Sequence, residues 1–312
     1  MPTDQRVRRR GRAAVWALQI GIAAIVLLFA WQTLAERWNE FRAIDLVFTW
    51  RPGWIAMAAA LVLATYGLLV DAWRRVLGGW GQAMRFPDAV RIWTLSNLGR
   101  YVPGKVWSIA GLAVLAQRAG VAGWAAAGGA LVLQAIAVGT GVAVVAATAP
   151  GALSATWLAL GAVIALGTVT LLSWPPTVRV LGRLAGRTDL TPLPFTALAV
   201  ATMVTALSWV VYGLAFWGLA RGLLGEGAEG FRLATAVGTF AGGYIVGLLA
   251  LFAPGGIGVR EVVFLGLLTP PLGAGGAVAL AAGSRVLLTL TEISAALVGL
   301  LIRHRSKEQG IA

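Results

Sequence analysis

The sequence predicts an all-α, polytopic membrane helix bundle: six spans plus two re-entrant Pro-Gly hairpins in an inverted repeat, forming a single integral membrane domain over residues 1–312. Three observations lead there. Hydrophobic residues make up 59% of the chain and charged residues 12%, where an ordinary soluble domain carries about 25% charged residues. Residues 119–178, 60 in succession, contain no Asp, Glu, Lys, Arg or His, although a bilayer-spanning helix needs only about 20. Two further apolar regions are each cut near the centre by a Pro-Gly turn. The pieces that follow these turns, about 12 to 14 residues, are too short to cross ~30 Å of hydrocarbon at 1.5 Å per residue.

The elements follow in order from charges and helix breakers. Arg6, Arg8, Arg9, Arg10 and Arg12 precede 23 uncharged residues, 13–35. That run exceeds the about 7 to 15 residues of a signal-peptide core, and no clean cleavage site follows, so it predicts an uncleaved first span. The second span, about 52–73, opens on Pro52, whose missing N–H costs nothing in a first helical turn, and closes at Arg74 and Arg75. Pro150 and Gly151 divide the long uncharged block into a third and a fourth span of about 28 and 22 residues, and Pro175-Pro176 ends the fourth. The fifth covers about 194–220 and the sixth about 275–302.

Between these spans lie the two interrupted regions, 86–119 and 231–269. The first carries Asn97-x-x-Arg100-Tyr101-x-Pro103-Gly104-Lys105-x-Trp107, and the second carries Pro254-Gly255-Gly256-x-Gly258-x-Arg260-Glu261. Each reads as a hairpin that enters and leaves on one side. Non-helical backbone is tolerated at membrane depth only where protein buries it or water reaches it, because lipid cannot hydrogen-bond the freed amides. The hairpins therefore predict a central cavity.

The charges orient this map. With the N-terminus inside, the inner segments collect fifteen cations: Arg6, Arg8, Arg9, Arg10, Arg12, Arg74, Arg75, Arg85, Arg91, Arg179, Arg183, Arg187, Arg303, Arg305 and Lys307. The outer loops hold five, Arg37, Arg42, Arg51, Arg221 and Arg232, balanced by five acids. That asymmetry is what the positive-inside rule requires, and it predicts a multi-pass protein of the plasma (inner) membrane with short cytoplasmic tails, 1–12 and 303–312. The net charge of +13 is thereby assigned to topology and not to nucleic acid.

Three crossings separate the hairpins, so they open on opposite faces. Both halves also carry a Gly-Gly-Ala step, at Gly128 and at Gly275, and a polar residue 31 positions after the proline, Gln134 and Arg285. Paired interrupted segments of this kind point to a substrate site in a transporter.

The two turn motifs, together with the order of spans and the Trp73-Arg74 pair, resemble the flippase-like membrane region of lysylphosphatidylglycerol synthetases, which also occurs as a stand-alone family of membrane proteins. The resemblance covers nearly the whole chain. It implies movement of a lipid with a modified head group between leaflets, with a link to polyprenyl-phosphate sugars in some relatives. The aminoacyl-transfer domain of the bifunctional synthetases is not matched within these 312 residues, so synthesis of the lipid is not implied.

The site residues expected to meet an anionic head group each have a plainer reading. Arg100 and Lys105 flank Pro103-Gly104, where free backbone amides and cations together hold a phosphate, or they snorkel to the cytoplasmic head groups. Tyr101 and Trp107 are head-group contacts or aromatic-belt residues. Gly255, Gly256 and Gly258 permit a tight turn and close backbone approach. Arg260 is the outer-half phosphate ligand, and Glu261 serves the site or only complements a helix dipole. Adjacent on a helix, these two face apart and each seeks another partner. Arg285 and Glu292 lie inside the last span, where a charge costs roughly 2.5 to 3.5 kcal/mol, so they face the bundle interior as site residues or as a structural ion-pair network. Asn97 and Pro254 complete the two motifs. Asp71 is assigned to structure, beside Arg74 and Arg75.

The absence of cysteine excludes disulfides, thiol redox chemistry and Cys-ligated metal, and the one histidine, His304, sits in a basic tail. No Walker A loop is present, and Glu261 and Glu292 are too few and too isolated for paired acid/base catalysis, so no cofactor and no enzyme activity are expected. The leading expectation is a flippase-like transporter of a phosphate-bearing lipid, a modified phospholipid or a polyprenyl-phosphate-linked sugar. The alternative is a non-transporting subunit that positions a glycosyltransferase or other lipid-modifying enzyme.

Overall fold

A computed structural model describes residues 49–101, 106–148, 154–184, 190–250 and 253–302. The expected first span, the tails 1–12 and 303–312, the Pro150-Gly151 turn, and Pro103, Gly104 and Lys105 lie outside these residues. All regular structure among the described residues is helical: α1 Pro52–Gly79, α2 Phe86–Asn97, α3 Val106–Arg118, α4 Gly123–Thr148, α5 Ser154–Ser173, α6 Pro175–Leu184, α7 Phe195–Leu224, α8 Leu233–Leu249 and α9 Val259–Leu301.

Breakers set the ends much as expected. Prolines sit at the first turns of α1 and α2, and Pro194 precedes α7. α9 breaks at Gly273, with φ 69° and ψ 169°, just after Pro270 and Pro271. That break separates the returning leg of the second hairpin from a second arm that ends at Leu301. One boundary needs correction. α1 does not close at Arg74 and Arg75 but continues to Gly79, because Asp71 accepts from Arg74 Nη2 at 2.7 Å and from Arg75 Nε at 2.6 Å within the helix. The pairing that the sequence expected lets the cations ride on the helix instead of ending it.

Four helices, α1, α4, α7 and α9, are long and apolar enough to cross a membrane, while the apolar part of α5, Ala159–Ser173, is shorter. Their outer surfaces carry large apolar side chains such as Val163, Leu166, Met203 and Leu301, each exposed by more than half, which suits lipid and not water. Contact between helices runs through small residues. Gly218 and Gly222 of α7 receive Met57 and Ile55 of α1, and Gly139 and Gly161 bring α4 and α5 to backbone contact.

The buried apolar side chains form two cores. One gathers Val62, Phe216, Phe231, Phe240, Phe264 and Leu280; the other gathers Trp73, Leu77, Ile92, Leu112, Leu133 and Leu198. α1, α4 and α7 run through both, whereas α2 and α3 contribute only to the second, and α8 with the first leg of α9 only to the first. Packing of the two halves is matched. α1 lies on α7, α4 lies on α8, and α9 lies on α2. Even the details correspond: Gly238 of α8 meets Thr148 of α4, and Gly299 of α9 meets Thr94 of α2.

Candidate functional site

The first hairpin turns through a 3-10 turn, Leu98–Tyr101, that ends α2. Gly99 lets the turn close on α3, since a Cβ there would lie 2.8 Å from the backbone nitrogen of Ser108. Arg100 and Tyr101 thereby reach Glu292 on the second arm of α9. Arg100 Nη1 donates to Glu292 Oε1 at 2.6 Å, and the Tyr101 hydroxyl donates to Oε2 at 2.6 Å. Arg100 Nη2 donates to Asn97 Oδ1 at 3.1 Å. Both oxygens of a carboxylate that is only 6% exposed are thus satisfied from the other half of the chain.

The second tip is a 3-10 turn, Pro254–Gly256, followed by Ile257 and Gly258. Gly255, Gly256 and Gly258 have φ of 57°, 71° and 84°, a region that residues with a Cβ rarely adopt. Gly258 caps α9, and Glu261 reaches back to accept its N–H at 2.7 Å, the returning half of a capping box. Arg285 Nη1 donates to the Gly255 carbonyl at 3.2 Å, and its Nε lies 3.9 Å from Glu261 Oε1.

Arg260 turns away from Glu261, as expected of adjacent helical positions. Its guanidinium carbon lies 5.2 Å from the ring centre of Phe240 and 4.9 Å from that of Phe264. It is 6% exposed, and its Nε and Nη2 have no hydrogen-bond partner among the described residues. Arg285 Nη2 is likewise buried without one.

The two tips touch. A Cβ on Gly255 would lie 3.9 Å from the Arg100 carbonyl oxygen, 3.9 Å from the Tyr101 ring and 3.7 Å from Arg285 Nη2. The sequence-predicted residues Asn97, Arg100, Tyr101, Gly255, Glu261, Arg285 and Glu292 therefore form one cluster, with Gly256, Gly258 and Arg260 at its edge. Trp107 is exposed in the first turn of α3, where its backbone abuts Gly99. Arg285 and Glu292 hold opposite tips and do not pair with each other; the acid's partner is Arg100, across the bundle.

Sequence reasoning missed three tyrosines. Tyr66 of α1, Tyr212 of α7 and Tyr244 of α8 all stand within electrostatic reach of Arg100, as does Tyr101. The Tyr66 hydroxyl is buried beside Thr291 of α9. The signal was available: the chain has only 4 tyrosines against 14 tryptophans, and three of the four lie in helix interiors and not at the ends where an aromatic belt would put them.

At the far end of the first hairpin, Arg91 Nη1 donates to the Ile302 carbonyl at 3.0 Å and so ties α2 to the end of α9. A cleft lined by Asp88, Arg91, Leu95, Leu115 and Arg118 opens there, away from the tips. Comparison of the chain with protein-family models, with curated proteins and with solved structures finds no match, so function rests on the geometry of the site.

Proposed function

We propose that the protein moves a lipid with a phosphate-bearing head group between leaflets, through the point where the two hairpin tips meet. The observation that carries this reading is the charge balance there. Among the described residues, three guanidiniums, Arg100, Arg260 and Arg285, face two carboxylates, Glu261 and Glu292. Surplus positive charge in an apolar bundle is costly, and an anionic head group relieves it while its acyl chains stay in lipid.

In this proposal residues 13–35, α1, α4, α5, α7 and the second arm of α9 are six spans, with both termini cytoplasmic. The hairpins re-enter from opposite faces as an inverted repeat. The matched packing of the two halves and the assignment of each hairpin to its own core support that arrangement. The resemblance of the turn motifs to the flippase-like region of lysylphosphatidylglycerol synthetases supports a lipid cargo.

The test is a leaflet-resolved assay in proteoliposomes with fluorescent phosphatidylglycerol and with a polyprenyl phosphate-linked sugar. The protein should carry at least one across faster than empty vesicles do, and Arg285→Gln should slow it. Equal rates with and without protein for both lipids would remove the transport reading. Arg85→Cys and Gly230→Cys, both at exposed positions, should react with impermeant reagents from opposite sides.

A further inference from the structure

We infer that the second tip is a receptor for one negative charge, that of a phosphodiester, held between Arg260 and Arg285. The inference rests on the proposed lipid function and narrows its cargo.

The cluster divides into two groups. Arg100 and Glu292 form a closed pair, with both carboxylate oxygens in hydrogen bonds. What remains among the described residues is Arg260, Arg285 and Glu261, two cations and one anion. This remainder contains three buried N–H-bearing nitrogens with no acceptor: Arg260 Nε, Arg260 Nη2 and Arg285 Nη2. A buried donor without an acceptor costs the full desolvation of that donor, more so on a charged group, and folded chains rarely retain one without a use.

The position makes the orphaning more pointed. Arg260 is the second residue of α9, where the helix dipole already presents positive potential and a cation is disfavoured. Arg285 lies within electrostatic reach and adds like charge. The faces of Phe240 and Phe264 attract the Arg260 cation but accept none of its N–H groups in a hydrogen bond, so the donors stay open to an anion. Gly247 faces the Arg260 Cβ and Gly255 lies beside Arg285 Nη2, so glycine backbone borders these side chains on one side, while Phe240 and Phe264 flank the Arg260 guanidinium on the other. Planar guanidiniums with paired N–H groups match two phosphate oxygens at once.

The charge sets the ligand class. A surplus of one matches a phosphodiester, which carries a single negative charge, whether in a phospholipid or in a polyprenyl phosphate-linked sugar. A phosphomonoester carries about 1.5 to 2 negative charges near neutral pH and overmatches the site.

The experiment measures thermal stabilisation of the detergent-purified protein by short-chain phosphatidylglycerol, short-chain phosphatidic acid and inorganic phosphate. Phosphatidylglycerol should raise Tm at concentrations about tenfold below those that phosphatidic acid needs, and inorganic phosphate should give no shift. Arg260→Gln and Arg285→Gln should each weaken the response about tenfold or more, and Arg260→Lys should restore part of it. Glu261→Gln keeps an acceptor for the Gly258 N–H but raises the site to two surplus charges, so it should reverse the order in favour of phosphatidic acid. No stabilisation by phosphatidylglycerol, or an order that Glu261→Gln leaves unmoved, overturns the inference. Stabilisation by inorganic phosphate equal to that by lipid overturns it too, by identifying a free-anion site. Lipid exchange between leaflets without this binding sinks the receptor and leaves transport standing; binding without exchange does the reverse.

Discussion

At the first hairpin tip, Arg100 reaches across the bundle to Glu292 and is held there with Tyr101 and Asn97; at the second, Arg260 lies between two phenylalanine rings with two nitrogens unmatched. Both guanidiniums are enclosed by protein, the Arg100 side chain 32% accessible and Arg260 6% exposed, yet only the first has a carboxylate in direct hydrogen bond. A chain selected only for stability would match both, because leaving either enclosed cation unpaired carries its desolvation cost. The contrast supports the proposal that the first tip's charge holds the fold together while the second's is left for a ligand. Departures from local consistency of this kind are expected at working sites.

The sharpest way to break that contrast is to remove each arginine in turn. Arg100→Met leaves the buried Glu292 carboxylate with Tyr101 alone, and breaking a buried pair from one side costs roughly 3 to 5 kcal/mol. Partial exposure of Arg100 puts the expected loss near the lower end, about 3 kcal/mol, read from unfolding in detergent. The double change Arg100→Met with Glu292→Gln should recover most of it. Arg260→Met should be neutral or stabilising, since a thioether suits the space between Phe240 and Phe264 and no donor is left orphaned. Equal losses at Arg100 and Arg260 would end the comparison.

A smaller effect separates the hairpins by how closely their legs pack. In the second, Gly243 of α8 abuts the ring of Phe264 on α9, and that ring is pinned by Phe216 at 5.0 Å and by Arg260. Gly243→Ala should therefore cost about 1 to 3 kcal/mol through overpacking. In the first, a Cβ on Gly111 would lie 3.8 Å from Ser96 Cβ, an ordinary contact. Gly111→Ala should be neutral or gain up to about 1 kcal/mol from helix propensity. The same unfolding measurement compares the two.

Much of this was legible in the chain before any fold was known. Pro52 and Pro194 mark helix starts because a missing N–H is harmless only there, Pro175 ends a span as expected but also opens a short helix that the sequence did not announce, and the glycines at 255, 256 and 258 mark backbone that other residues adopt with strain. The divergence of Arg260 from Glu261 followed from helical spacing alone. What stayed hidden was who meets whom across the bundle. Arg285 and Glu292 share a face, yet their partners come from Gly255 and Glu261 in one hairpin and from Arg100 and Tyr101 in the other, 191 or 192 residues away from Glu292. No periodicity reports such a pairing. The tyrosines were only half hidden: their places inside helices set three of them apart from a belt, but that they converge on Arg100 is not written in the sequence.

The smallest predicted effect separates the two acids. Glu292 accepts from two charged or hydroxyl donors in a nearly closed setting, whereas Glu261 is 28% exposed and its oxygen stands 3.9 Å from Arg285 Nε. Partly exposed pairs of that length contribute about 0 to 1 kcal/mol. Glu261's firmer role is the 2.7 Å acceptance of the Gly258 N–H, and an amide oxygen performs that as well as a carboxylate. Glu261→Gln should therefore change stability by less than about 1 kcal/mol, while Glu261→Ala, which uncaps α9, should cost about 1 kcal/mol more. A loss on Glu261→Gln as large as that on Arg100→Met would mean that the second tip is locked by charge like the first. The surplus assigned to Arg260 and Arg285 would then be structural, and the contrast between the tips would fail at its least expensive point.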